Sequence, residues 1–151
     1  MTLGDHFPKK GKKDFIKQNL VEGNVIYLHV NHTIPPKEKY LLIGHVDDCI
    51  RVFTINSEIH PFIKSKEHLL SGQILLNKSD HEFLDHDSYI NCTEIVDIPV
   101  EDVEGQVIDD MSRIKGSISD GTREKVLSAV NESLTLTQLD IILITQALPK
   151  K

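Results

Sequence analysis

Apolar residues along this chain fall into short runs divided by polar turns, and their spacing becomes helical only towards the end. After Phe15, Ile16 and Leu20, the turn Glu22-Gly23-Asn24 leads into Val25-Ile26-Tyr27-Leu28-His29-Val30, whose β-branched and aromatic residues predict a first strand. Its alternation is imperfect, as expected of a strand covered on both faces. Residues 31–39 contain Pro35-Pro36 and two lysines and predict a loop. The apolar runs 40–46 and 49–55 are joined by Asp47-Asp48 alone, which predicts a hairpin that Asn56-Ser57 brings to an end. Beyond it, 65–70 predicts a helical turn capped by Ser65, 74–76 a short strand, and Phe83-Leu84 a strand or strand end. Residues 88–96 predict a longer strand, continued by 98–100 towards a loop.

Two helices are predicted to close the chain. The first starts at Ser119, with Asp120 at its positive end and Val126, Leu127 and Val130 at helical spacing through Asn131. The second opens on Thr135-Leu136-Thr137-Gln138, the arrangement of a capping box, carries Leu139 and 141–144, and ends at Pro149. Because 141–144 is apolar on every side, this helix is expected to pack on the sheet or to form the seam of a homodimer. Short strands followed by terminal helices predict an α+β chain, mainly β, built as a small antiparallel barrel or a strongly bent sheet with two C-terminal helices.

A length of 151 residues suits one hydrophobic core. Residues 1–13, with two glycines, Pro8 and four lysines, are expected to be a flexible basic arm ahead of a single domain at 14–151. No apolar run approaches the roughly 20 residues that span a bilayer, and the first residues lack the order of an export signal, so no membrane contact and a cytoplasmic address are expected. In that compartment Cys49 and Cys92 read as buried free thiols rather than a disulfide.

Charge changes the picture more. Five lysines fall within the first 17 residues, whereas ten basic residues face 21 acidic ones between Gln18 and Leu148. Residues 79–112 hold eleven Asp or Glu and no Lys or Arg, a stretch that repels a phosphate backbone. If nucleic acid binds, it is expected to bind elsewhere on the surface, and a partner protein could use this acidic face.

The densest group of functional side chains is Asp80-His81-Glu82-Phe83-Leu84-Asp85-His86-Asp87-Ser88. Its residue types suit zinc or manganese, but on a strand His81 and Asp85 share one face while His86 points to the other, so no metal is expected. Asp85, His86 and Ser88 are also triad types, yet adjacent residues rarely converge as a triad, and no Gly-x-Ser-x-Gly turn is present. Cys92 with His45 or His60 reads as a packing residue rather than a nucleophile. His29, His45 and His60 lie in or beside strands as hydrogen-bonded structural histidines, and no glycine-rich loop cradles a phosphate. No cofactor is expected.

A different site is suggested where 34–39 faces the strand end Phe53-Thr54-Ile55-Asn56-Ser57. Lys37 and Lys39 can stabilise a pentavalent phosphate, and the Thr54 hydroxyl can donate to the same oxygens. RNA cleavage without a metal needs little more, because the nucleophilic 2′-hydroxyl belongs to the substrate. Asn56 and Ser57, with His86 and Ser88 from the neighbouring turn, are candidate substrate-binding residues.

The order of these parts resembles the PemK/MazF toxin family. Glu22-Gly23-Asn24 and the apolar run after it are similar to the family's Gly-Asp and first strand. Pro36-Lys37-Glu38-Lys39-Tyr40-Leu41-Leu42-Ile43 occupies the place of its basic loop and Arg-Pro entry to the second strand, with Lys37 or Lys39 where the family has arginine. Phe53-Thr54-Ile55-Asn56-Ser57 sits where the family carries a catalytic Thr or Ser, and Lys115-Gly116-Ser117-Ile118-Ser119-Asp120 is similar to its Gly-x-Leu-Ser-Asp segment. The resemblance runs over 21–130. It implies an SH3-like barrel, a homodimer, a metal-independent endoribonuclease acting on RNA, and an antitoxin partner. The alternative is an inactive relative that binds a protein partner through its acidic face.

Overall fold

A computed structural model describes residues 9–33 and 35–148. In chain order the elements are α1 (Lys9–Asn19), β1 (Asn24–Val30), β2 (Lys37–Val46), β3 (Cys49–Asn56), α2 (Pro61–Lys64), α3 (Glu67–Leu70), β4 (Gln73–Leu76), β5 (Ser88–Asn91), β6 (Val96–Pro99), α4 (Val100–Asp109), β7 (Ile114–Ser117), α5 (Asp120–Asn131) and α6 (Gln138–Ala147). The strands form one antiparallel sheet in the order β4-β5-β3-β2-β1-β7, with β6 pairing β3 beside β5. The fold is therefore α+β, with a curled sheet compatible with a small barrel. Among the described residues no helix is long and apolar enough to cross a membrane.

The predicted hairpin lies at its centre. Asp47 shapes the turn: its carboxylate accepts from the Cys49 amide at 3.1 Å and from Arg51 Nη1 at 2.6 Å. Those two donors hold the Asp47 carboxyl below the usual range, the amide first. The register places Leu41 opposite Thr54 and Leu42 opposite Phe53. One face of the hairpin packs Leu41, Ile43, Ile50 and Val52 with Ile26 and Leu28 against Ile16, Val103 and Val107 of α1 and α4. The other packs Leu42, Phe53 and Ile55 against Val126, Val130 and Ile144 of α5 and α6.

Several expectations need correction. The arm expected over 1–13 is helical from Lys9 onward, because Ile16 and Leu20 are buried and anchor α1; residues 1–8 lie outside the described residues. The loop expected over 31–39 ends early, since 37–39 pair with 28–30 of β1. The single strand expected over 88–96 breaks after Asn91, whose side chain accepts from the Thr93 amide and hydroxyl at 3.1 and 2.5 Å and turns the chain. Cys92 thus lies in a turn, and 96–99 form a separate strand. Phe83-Leu84 belong to a turn, while Ser65 ends α2 rather than capping a helix. The last helix is capped by Thr137, which accepts from the Asp140 amide at 3.1 Å; the Thr135 hydroxyl instead donates to the Thr93 carbonyl at 2.6 Å. Ser119 caps α5 as expected, accepting from the Thr122 amide at 3.2 Å.

Gly23 joins α1 to the sheet at φ +94°, where its amide donates to Ile43 and its carbonyl accepts from Ile118, each at 2.9 Å. The buried Arg123 guanidinium lies where a Cβ would stand, and its Nη1 donates to the Leu148 carbonyl. Gly23→Ala is therefore expected to cost about 1–3 kcal/mol, lowering Tm in a calorimetric scan by about 2–4 °C per kcal/mol. An unchanged Tm would contradict this packing.

Both cysteines are free. Burial pushes the Cys92 thiol up to about 12, and burial is also the first cause that raises Cys49, which is less enclosed. With a thiol-reactive disulfide at pH 8, Cys49 should be modified first and Cys92 only on unfolding in urea. Equal rates in the native protein would refute this ordering.

Candidate functional site

Side chains alternate along a strand, so the hairpin register decides which predicted residues can meet. Lys37, Lys39 and Leu41 share one face of β2, and Thr54, opposite Leu41, points to the same side. A strand rises about 3.4 Å per residue, which sets Lys39 about 7 Å and Lys37 about 14 Å along β2 from the level of Thr54. Lys39 is the lysine brought close. Its Nζ donates to Asn56 Oδ1 at 2.7 Å, across the open end of the hairpin. Half-burial, and then the charge of Lys37, lower the Lys39 pKa.

Thr54 remains partly exposed, and its Oγ1 lies 3.2 Å from Nε2 of His32, an exposed residue of the β1–β2 connection. His32, Thr54, Lys39 and Asn56 therefore bring an imidazole, a hydroxyl, an ammonium and an amide to one corner. A tyrosine pair stands on the opposite face of the sheet, Tyr27 and Tyr40, with ring centroids 4.6 Å apart and Lys115 Nζ 5.7 Å above Tyr27. Glu38 on that face is held by Arg113 Nη2 at 2.9 Å.

The remaining predicted residues gather around a cleft of about 320 Å³ that Tyr27, Tyr40 and Lys39 also border. Ser57 and His86 are exposed there, whereas Ser88 is buried, its hydroxyl donating to the His86 carbonyl at 3.3 Å. Ser57, His86 and Ser88 thus border a cleft distinct from the corner that holds Thr54 and Asn56. The acidic cluster splits as well. His81 is buried, with Nδ1 at 2.7 Å from the Asn77 carbonyl and Nε2 accepting from the Ser119 amide at 3.0 Å. Those two bonds tie the 77–81 turn to the start of α5. Among the described residues, no three His, Cys, Asp or Glu side chains are grouped to hold a metal ion.

No protein-family model matches the chain, and no curated protein is significantly similar to it. Its chemistry must be read from the corner itself. His32 is the residue that sequence reasoning passed over: it lies in a proline-containing loop, and nothing local shows that the loop brings it to Thr54. The Tyr27–Tyr40 pair carried a clearer signal, since both tyrosines occur in runs that read as strands.

The lowered Lys39 pKa has a defined sign. Its folded value lies below its unfolded one, so between the two the unfolded chain binds more protons and stability rises with pH. Relative to Lys39→Met, the wild-type protein should gain stability in urea as pH climbs from 7 towards the ordinary lysine pKa. A constant difference would show that the Lys39 environment leaves its titration unchanged.

Proposed function

We propose that this chain is a metal-independent endoribonuclease of the PemK/MazF kind that its sequence resembles, with the reaction centred on the corner of His32, Lys39, Thr54 and Asn56. The observation that carries the reading is the 3.2 Å contact of His32 with Thr54 beside the 2.7 Å contact of Lys39 with Asn56. His32 accepts the proton of the ribose 2′-hydroxyl as that oxygen attacks the neighbouring phosphorus. Negative charge then builds on the phosphorane oxygens, where the Lys39 ammonium and the Thr54 hydroxyl stabilise it. The bond from phosphorus to the 5′-oxygen breaks, that oxygen takes up a proton, and a 2′,3′-cyclic phosphate remains. Lys37, further along the same face, offers a charge for an adjoining phosphate. Asn56 orients Lys39, while Ser57, His86 and Ser88 border the neighbouring cleft, where a nucleotide of the substrate would lie.

The resemblance also carries a homodimer and an antitoxin into the proposal. Leu139 and Ile142 of α6, 60% and 42% exposed, offer apolar surface for a second copy. An antitoxin that covers the His32 corner would block access to the phosphate.

The test uses purified protein, single-stranded RNA and excess EDTA. Cleavage should leave 2′,3′-cyclic phosphate ends, and a single 2′-deoxy substitution at the cut position should abolish it. His32→Ala, Lys39→Ala and Thr54→Ala should each lower the rate by about 10²-fold or more. Activity that needs added metal, or that survives all three substitutions, would overturn the reading, as would intact RNA at micromolar protein.

A further inference from the structure

The β1–β2 connection and β6 flank a groove of about 680 Å³ that shares only His32 with the nuclease corner. Its lining includes four consecutive residues from each side: 29–32 at the end of β1, and Val96, Asp97, Ile98 and Pro99 of β6. Successive side chains of a strand point to opposite faces, so a strand that lines a groove with every residue presents its edge. One edge of β6 pairs with β3, and among the described residues no strand pairs with the other. On the β1 side the edge is already matched. Gln106 of α4 accepts from the His29 amide at 2.8 Å and donates to the His29 carbonyl at 3.0 Å, the pair of bonds that a neighbouring strand would make.

We propose that the free edge of β6 takes an extended, lysine- or arginine-rich segment of a partner protein as an added strand. Backbone bonding along an exposed edge supplies affinity with little sequence demand. Charge selects the occupant: Asp97, Glu101, Asp102 and Asp109 border the groove, and among the described residues no lysine or arginine does. That field opposes a nucleic-acid backbone and favours a cationic chain. Pro99, with no amide proton, sets one end of the usable edge.

The β6 edge and its carboxylates contain no residue of the nuclease corner, so the proposal can be tested separately. A fluorescein-labelled decapeptide of alternating lysine and valine is titrated with the full chain, followed by anisotropy. Binding is expected. N-methylation of alternate backbone amides, which keeps the charge but removes ladder donors, should weaken it at least tenfold, and the glutamate-for-lysine peptide should not bind. Glu101→Gln with Asp102→Asn, two exposed positions, should weaken it at least tenfold with an unchanged far-UV spectrum. Thr54→Ala should leave it intact. Failure of the lysine peptide to bind, or undiminished binding after N-methylation, overturns the proposal. Displacement of the peptide by polyuridylate would assign the groove to RNA, and loss of a sedimenting dimer in the double variant would assign it to a second copy. Either result also overturns it.

Discussion

Covering both faces of the β2–β3 hairpin constrains everything else in this fold. Leu42 and Phe53 belong to one core, Leu41, Ile43 and Val52 to the other, and each set is sealed by helices. A slip of one residue would exchange the two sets and expose apolar side chains on both faces, so the register has little freedom. The cover ends before the hairpin does. Past Leu41 on one strand and Val52 on the other, the next residues on that face are Lys39 and Thr54, so the polar corner is the continuation of a core face into solvent.

How much of this was legible follows from where each signal lies. The hairpin could be read because Asp47-Asp48 is a local turn, and α5 because Ser119 caps it locally. Helix α4 was missed although Val100, Val103 and Val107 keep helical spacing and Glu101 and Asp102 occupy its first turn. The run of strand-like residues before Pro99 hid where the period changes from two to nearly four. Strand β7 has no pattern of its own, being Ile-Lys-Gly-Ser, and exists because the edge of β1 is there to pair it. At the site, the Lys39–Asn56 contact follows from hairpin register, but His32 reaches Thr54 through a loop whose path no periodicity encodes.

Charge is divided as sharply as hydrophobicity. Lysine-rich α1 packs against acidic α4 through the apolar Ile16, Val103 and Val107. The outer side of α4 still faces the groove with its carboxylates, so cations gather at the hairpin end and anions at the β6 edge. His32 borders both regions, lining the acidic groove while touching Thr54.

The partner chosen for Lys39 makes the same point from the other side. A carboxylate at position 56 would neutralise the half-buried ammonium and leave no net charge for an anionic ligand. The Asn56 amide instead orients the ammonium through one hydrogen bond and leaves its charge in place, at the cost of the lowered pKa that burial and Lys37 impose. An ammonium held desolvated beside a neutral acceptor is stabilised most by what then arrives with negative charge, so the corner is poorly satisfied alone and well matched to a phosphate.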